Sequence, residues 1–147
     1  MNKVKTVRIL IFGTFDIVHP GHLHLFKQAR ALAKNPYLIV SLARDKNVLR
    51  IKGKAPRSSE TKRLARVKAL PEVDKAMLGA LKDYIAPIVK VSPDIIALGY
   101  DQTAYVSGLR QALKAKGSNP KIVRLKPHKP HLYKTSLLAK NATKTSR

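Results

Sequence analysis

Short apolar runs alternate with amphipathic stretches along most of this chain. Val7–Phe12 (VRILIF) is a β-branched run closed by Gly13, with the length of a strand buried on both faces. Behind Pro20, which suits a first helical turn, Leu23, Phe26, Ala29, Leu32 and Ala33 recur at near-helical spacing and predict a helix over Gly21–Ala33. Tyr37–Ala43 reads as a second strand. A basic loop follows, and then a helix capped by Ser58 or Ser59 that runs to about Leu70, where Pro71 stops it. The alternation continues with a strand at Lys75–Leu78, a helix at Ile85–Val91 with Pro87 near its start, and a strand at Ile95–Leu98. A helix at Val106–Lys116 ended by Gly117, a strand at Ile122–Leu125 and a short helix at Ser136–Lys140 complete the pattern. Strands separated by helices imply parallel pairing through right-handed crossovers. The expected architecture is an open α/β sheet whose ligands sit beyond the carboxyl ends of the strands.

The 147 residues suit one domain, expected over residues 1–140, with a basic flexible tail over 141–147. No stretch approaches the roughly 20 apolar residues that span a bilayer, which points to a cytoplasmic protein with no membrane partner. The absence of cysteine excludes disulfides and thiolate metal sites. Charge changes the picture most. Thirty Lys and Arg against eight Asp and Glu give a net charge of +22, a field that attracts polyanions and allows non-specific nucleic-acid binding. A basic surface kept for solubility is the competing explanation.

The first strand leads into Gly13-Thr14-Phe15-Asp16-Ile17-Val18-His19-Pro20-Gly21-His22. Two imidazoles and a helix N-terminus thus meet where such sheets bind ligands, and both rings can donate hydrogen bonds to phosphate oxygens. By spacing alone, His19 and His22 could also be a metal pair or structural residues. No cysteine or nearby HExxH-type carboxylate completes a tetrahedral site, whereas a strand–loop–helix phosphate cradle has its donors in place.

The GTFD of Gly13–Asp16 followed by the HxGH of His19–His22 resembles the cytidylyltransferase-like nucleotidyltransferases, and the likeness continues in order along nearly the whole chain. It implies a Rossmann-like open parallel sheet of about five strands with helices on both faces. It also implies a nucleotide site at Gly13, Thr14, Phe15, Asp16, His19, Gly21 and His22. Lys52 and Lys54 in the basic loop, and Arg63 on the next helix, stand where the family carries phosphate-contacting cations, and Glu60 falls in the same match. Gly99, Asp101 and Gln102 match the nucleotide-site loop after the fourth strand, with Asp101 alternatively a cap. Thr135 and Ser136 match a hydroxyl-bearing motif for the β- and γ-phosphates, although Tyr133-Lys134 replaces the usual Ile-Ser and a plain N-cap explains the pair equally well. Asp45 fits the pattern as a residue that orders the lysine loop. Arg57, Lys62 and Arg66 read as surface charges, and His24, His128 and His131 have no assigned role.

The resemblance further implies an enzyme that transfers a nucleoside monophosphate by direct in-line displacement, with His19, His22, Lys52, Lys54 and Arg63 as the catalytic set and Mg2+ accompanying the nucleotide. Val73–Gln102 is similar to the archaeal FAD synthases. That likeness makes ATP and FMN the expected substrates and FAD the product, in an enzyme expected to be a homodimer. A CTP-dependent enzyme acting on glycerol 3-phosphate or a similar phospho-alcohol shares the same motifs. A nucleic-acid-binding protein on the same fold is the reading from a different class, against which stand the low aromatic content of 5% and the lack of a familiar nucleic-acid motif.

Overall fold

A computed structural model describes residues 5–99, 102 and 106–126. The chain begins with β1 (Val7–Gly13), α1 (Pro20–Arg30), β2 (Pro36–Leu42), α2 (Asp45–Lys52) and α3 (Glu60–Lys68). It continues through β3 (Lys75–Leu78), α4 (Ile85–Val91), β4 (Ile95–Leu98), α5 (Val106–Ala115) and β5 (Lys121–Arg124). The sheet is parallel throughout, in the order β3-β2-β1-β4-β5. The chain winds outward from β1 through β2 and β3, then returns to place β4 on the other flank of β1. This reversal opens a crevice at the carboxyl ends of β1 and β4, the position at which sheets of this class bind ligands.

Helices cover both faces because the strands are apolar on both. Ile9, Ile11, Leu38, Val40 and Ala97 point to one side and pack with Phe26 of α1 and Val67 of α3. The alternate residues Leu10, Ile39 and Ile96 point to the other, against Ile88 and Val91 of α4 and Leu109 and Leu113 of α5. Carboxylates tie element ends to the sheet. Asp74 accepts from the Leu38 amide at 2.8 Å and Asp94 from the Arg8 amide at 2.9 Å, while Asp83 caps α4 through the Ile85 and Ala86 amides. Among the described residues no helix is long and apolar enough to cross a membrane.

The expected elements among the described residues form, with some departures. The segment read as a basic loop contains α2. Its start carries Asp45 in the first turn and its end carries Gly53 in the left-handed region at φ 79°, both ordinary helix-end signals that the density of lysine and arginine obscures. The first helix stops at Arg30 instead of Ala33, because Asn35 precedes Pro36 and must be extended to enter β2; Leu32 is exposed as a result. The second and last strands each lie one residue earlier than expected, in the registers that pair Val7 with Pro36 and Ile95 with Lys121. The helix expected at Ser136–Lys140 and the tail over 141–147 lie outside the described residues.

Leu38 is fully buried in the middle of the sheet, whereas Ile51 on α2 is 63% exposed. Leu38→Ala is expected to lower unfolding free energy by roughly 2–5 kcal/mol, and Ile51→Ala to change it by less than about 0.5 kcal/mol, both read from urea denaturation.

Candidate active site

The loop leaving β1 is shaped by Phe15. Its backbone takes a positive φ of 52°, and its ring turns back into the core with 4% exposure. A Cβ on Gly13 would lie 2.5 Å from that ring, so the close approach requires glycine there. The ring meets His22 edge-on at 5.1 Å and Phe26 at 5.4 Å between centroids. Phe15 therefore supports an imidazole from below, and most of its surface is occupied by packing.

The two histidines build the start of α1 between them. His19 is the N-cap, and its Nδ1 accepts the Gly21 amide at 3.1 Å; the Nδ1 of His22 accepts the His19 amide at 3.4 Å, with Pro20 in the first turn. With each Nδ1 accepting, each neutral ring carries its proton on Nε2. The rings stack at 3.8 Å with 21° between their planes, so their nitrogens run side by side and do not converge on one point as a metal pair would. Burial lowers the His19 pKa. Burial, and then the charge of His19, lower that of His22 to about 3, against the opposing effect of a backbone hydrogen bond with Ile17. Both rings are neutral at pH 7.

Behind this loop lies a network of charges. Arg63 of α3 is completely buried, with Nε on the Ser58 carbonyl at 3.1 Å, NH1 on the carbonyls of Thr14 at 2.9 Å and Ala43 at 2.8 Å, and NH2 on Asp45 Oδ1 at 2.6 Å. Burial raises the Asp45 carboxyl, but Arg63, the Glu60 amide and Arg44 together hold it below the ordinary carboxylate value. The two carboxylates at the helix starts exchange backbone contacts, Asp45 N to Glu60 Oε1 at 2.9 Å and Glu60 N to Asp45 Oδ2 at 3.1 Å. Asp16 takes the amides of Arg57 at 2.6 Å and Ser58 at 2.8 Å, and Arg66 reaches the Asp16 carbonyl at 3.0 Å.

In front of the loop is a cavity of about 730 Å³, within the usual range for small-molecule sites. Thr14, His22, Arg44 and Lys52 supply polar lining, and Ile51, Met77, Ile85 and Ile88 supply much of the apolar lining. Gln102 closes the crevice between the two halves of the sheet: its Nε2 donates to the Phe12 carbonyl at 2.7 Å and its Oε1 accepts the Gly99 amide at 2.8 Å.

A family model described as cytidylyltransferase-like matches residues 10–141. The chain belongs to the cytidylyltransferase-like family. Proteins named FAD synthase are similar over most of their length. That of Methanosarcina barkeri is 48% identical over 118 residues, 80% of this chain and 82% of the relative. That of Methanohalophilus mahii is 43% identical over 141 residues, 95% and 96% of the two chains. That of Thermococcus sibiricus is 41% identical over 138 residues, 93% and 89%. Among solved structures, the lipopolysaccharide core biosynthesis protein of Thermoplasma volcanium superposes with a TM-score of 0.76 at 38% identity, covering 83% of this chain and 98% of that one. The shared fold is the five-stranded parallel sheet described above.

The site of this cytidylyltransferase-like protein gathers some of the sequence candidates and relocates others. Gly13, Thr14, Phe15, His22, Lys52, Gly99 and Gln102 line the cavity; Gly21 lies in the turn that His19 caps. Arg63, expected to contact phosphate, does not reach the cavity, because four protein oxygens surround its guanidinium. The carboxylate of Asp16 is likewise turned to backbone amides, and Lys54 lies exposed beyond the Gly53 cap, away from the cavity wall. Gln102 presents its amide to backbone groups, so its contribution at the described geometry is to join β1 to β4. Arg66, exposed as a surface charge should be, also braces the β1 loop through the Asp16 carbonyl. Asp101, Thr135 and Ser136 lie outside the described residues, as do His128 and His131. The sequence reading passed over Arg44, whose signal was its place immediately beyond the carboxyl end of β2.

Two outcomes follow from this geometry. Arg63→Met leaves the Thr14 and Ala43 carbonyls and the Asp45 carboxylate without their donor, and is expected to cost about 3 kcal/mol of unfolding free energy in denaturant titration. For His22, the folded-state value near 3 lies below the unfolded value of 6.5, so the unfolded chain binds more protons between them. Stability therefore falls as pH drops below 6.5, by up to about 1.4 kcal/mol per pH unit for one ring. His22→Asn should show a shallower decline from pH 7 to pH 4.5 in thermal unfolding; an unchanged slope would remove His22 from the account.

Proposed function

We propose that the protein is an FMN adenylyltransferase, making FAD and pyrophosphate from ATP and FMN. The observation that carries this reading is a cavity lined by a neutral imidazole, by cationic groups and by a broad set of apolar side chains, in a chain 41–48% identical to proteins named FAD synthase. A phosphate oxygen of FMN attacks the α-phosphorus of ATP, a new P–O bond forms, the bond from the α-phosphorus to the bridging oxygen of the β-phosphate breaks, and pyrophosphate leaves. No covalent intermediate on the protein is needed.

The chain's own residues position and neutralise. His19 and His22, neutral with protons on Nε2, are hydrogen-bond donors to oxygens on which charge develops, and their Nδ1 atoms are held by the helix start so that the rings are set before substrate arrives. Lys52, at the last turn of α2, is a mobile point charge for the departing pyrophosphate. The nearby carboxylates of Asp16 and Asp45 are occupied by protein donors, and no cluster of three metal-ligating side chains occurs among the described residues. That donor set fits a magnesium ion held by nucleotide phosphates and water, the ordinary mode for this ion. When bound, it would lower the charge on the leaving pyrophosphate. A small polyol phosphate with CTP would leave the Ile51, Met77, Ile85 and Ile88 surface uncovered, which favours the flavin acceptor.

Purified protein with magnesium should release pyrophosphate from ATP plus FMN and form FAD by mass, with little release from CTP plus glycerol 3-phosphate; the reverse pattern overturns the assignment. His19→Ala and His22→Ala are expected to lower kcat by about 100-fold or more, with smaller changes in KM for ATP, because their contacts strengthen as charge moves.

A further inference from the structure

The mechanism leaves Arg44 of the cavity wall without a role. It occupies the N-cap position of α2 in extended backbone but makes no capping bond with its side chain. Its Nε instead forms an ion pair with Glu60 Oε2 at 3.2 Å. Glu60 is itself fixed by its reciprocal backbone contacts with Asp45. The contact is an ion pair without a hydrogen bond from Nε; it keeps a carboxylate beside the Nε edge of the guanidinium, and the two terminal nitrogens are the ones that can take an oxyanion through two oxygens at once.

Arg44 also lies at a boundary in the cavity. Asn47, Val48 and Ile51 follow it along α2, and Met77, Ile85 and Ile88 continue the apolar wall from β3 and α4. Ile51 lines this wall while 63% exposed, so a flat apolar ligand seated there would cover it. Thr14 and His22 line the same cavity. A molecule with a phosphate at one end and a planar ring system at the other could place the first beside Arg44 and the second along α2 and α4.

Building on the flavin reading above, we propose that Arg44, ion-paired with Glu60, binds the acceptor phosphate and sets the preference for a phosphorylated flavin, while the apolar lining that includes Ile51 takes the ring system. Arg44 then contributes discrimination and Ile51 contributes affinity for any flavin. The two contributions separate with riboflavin, which has the ring but lacks the phosphate.

Flavin fluorescence titration of the purified full chain without nucleotide supplies the test, with FMN and riboflavin as ligands. Wild-type protein should prefer FMN by at least about tenfold, the usual scale of a charge-assisted hydrogen-bonded pair. Arg44→Gln should bring FMN affinity close to that of riboflavin and leave riboflavin within twofold of wild type, which also reports that the variant is folded. Ile51→Ser should weaken both ligands by similar factors and keep their ratio. If Arg44→Gln does not fold, Arg44→Lys takes its place, and loss of the two-point contact should reduce the FMN preference at least threefold. A wild-type FMN-to-riboflavin ratio in the folded Arg44 variant overturns the assignment while FAD synthesis by the wild type leaves the proposed function standing. A wild-type protein that binds neither flavin and makes no FAD removes both.

Discussion

A guanidinium cannot be buried without oxygen atoms arranged around it, and Arg63 is buried completely at the place where the chain leaves β1 and β2. Its partners are the Thr14 carbonyl after β1, the Ala43 carbonyl after β2 and the Asp45 carboxylate at the start of α2, with the Ser58 carbonyl just ahead of α3. Satisfying one side chain therefore fixes the relative positions of the β1 loop, the β2 exit and two helices. The histidine cap, the direction of Arg44 and the place of Lys52 all depend on those positions. Asp16 and Arg66 add a second layer to the same junction, holding the β1 loop against the segment that enters α3.

The function of the acidic residues follows from this arrangement. The sequence has eight Asp and Glu, and six of them, Asp16, Asp45, Glu60, Asp74, Asp83 and Asp94, accept backbone amides. Scarce carboxylates are used where an orphan N–H at a turn or helix start needs an acceptor. Cations, far more numerous, are divided between buried structural work, as in Arg63, and the cavity wall, as in Arg44 and Lys52.

This division explains what could be read from the sequence. Strand and helix periodicity located β3, α4 and β4 to the residue, because each is a short apolar run bounded by turn residues. The β1 loop was legible for a similar reason, since Gly13 and the HxGH segment leave few arrangements for a strand entering a helix through a histidine cap. Helix α2 was hidden because its apolar positions, Val48, Leu49 and Ile51, are sparse among lysines and arginines. The direction of a cation was harder still. Arg63 and Lys54 carry the same charge as Lys52 on the page, and only the packing of α3 against β2 and β3 turns Arg63 inward. Arg66 stays at the surface as expected, but its contacts with the Asp16 carbonyl and the Ser58 hydroxyl are ones that no residue type announces.

With the acids spent on backbone amides, little negative charge from the protein is left to balance the cavity wall or the wider net charge of +22. The empty molecule holds like charges close together, a condition that opposes compactness. A polyphosphate entering the crevice supplies the missing sign and is bound only by the folded form, so occupancy and folding reinforce one another. Substrate is in that sense a part of the architecture: the protein with its site filled is the more cohesive object, and the enzyme waiting between turnovers is the more fragile one.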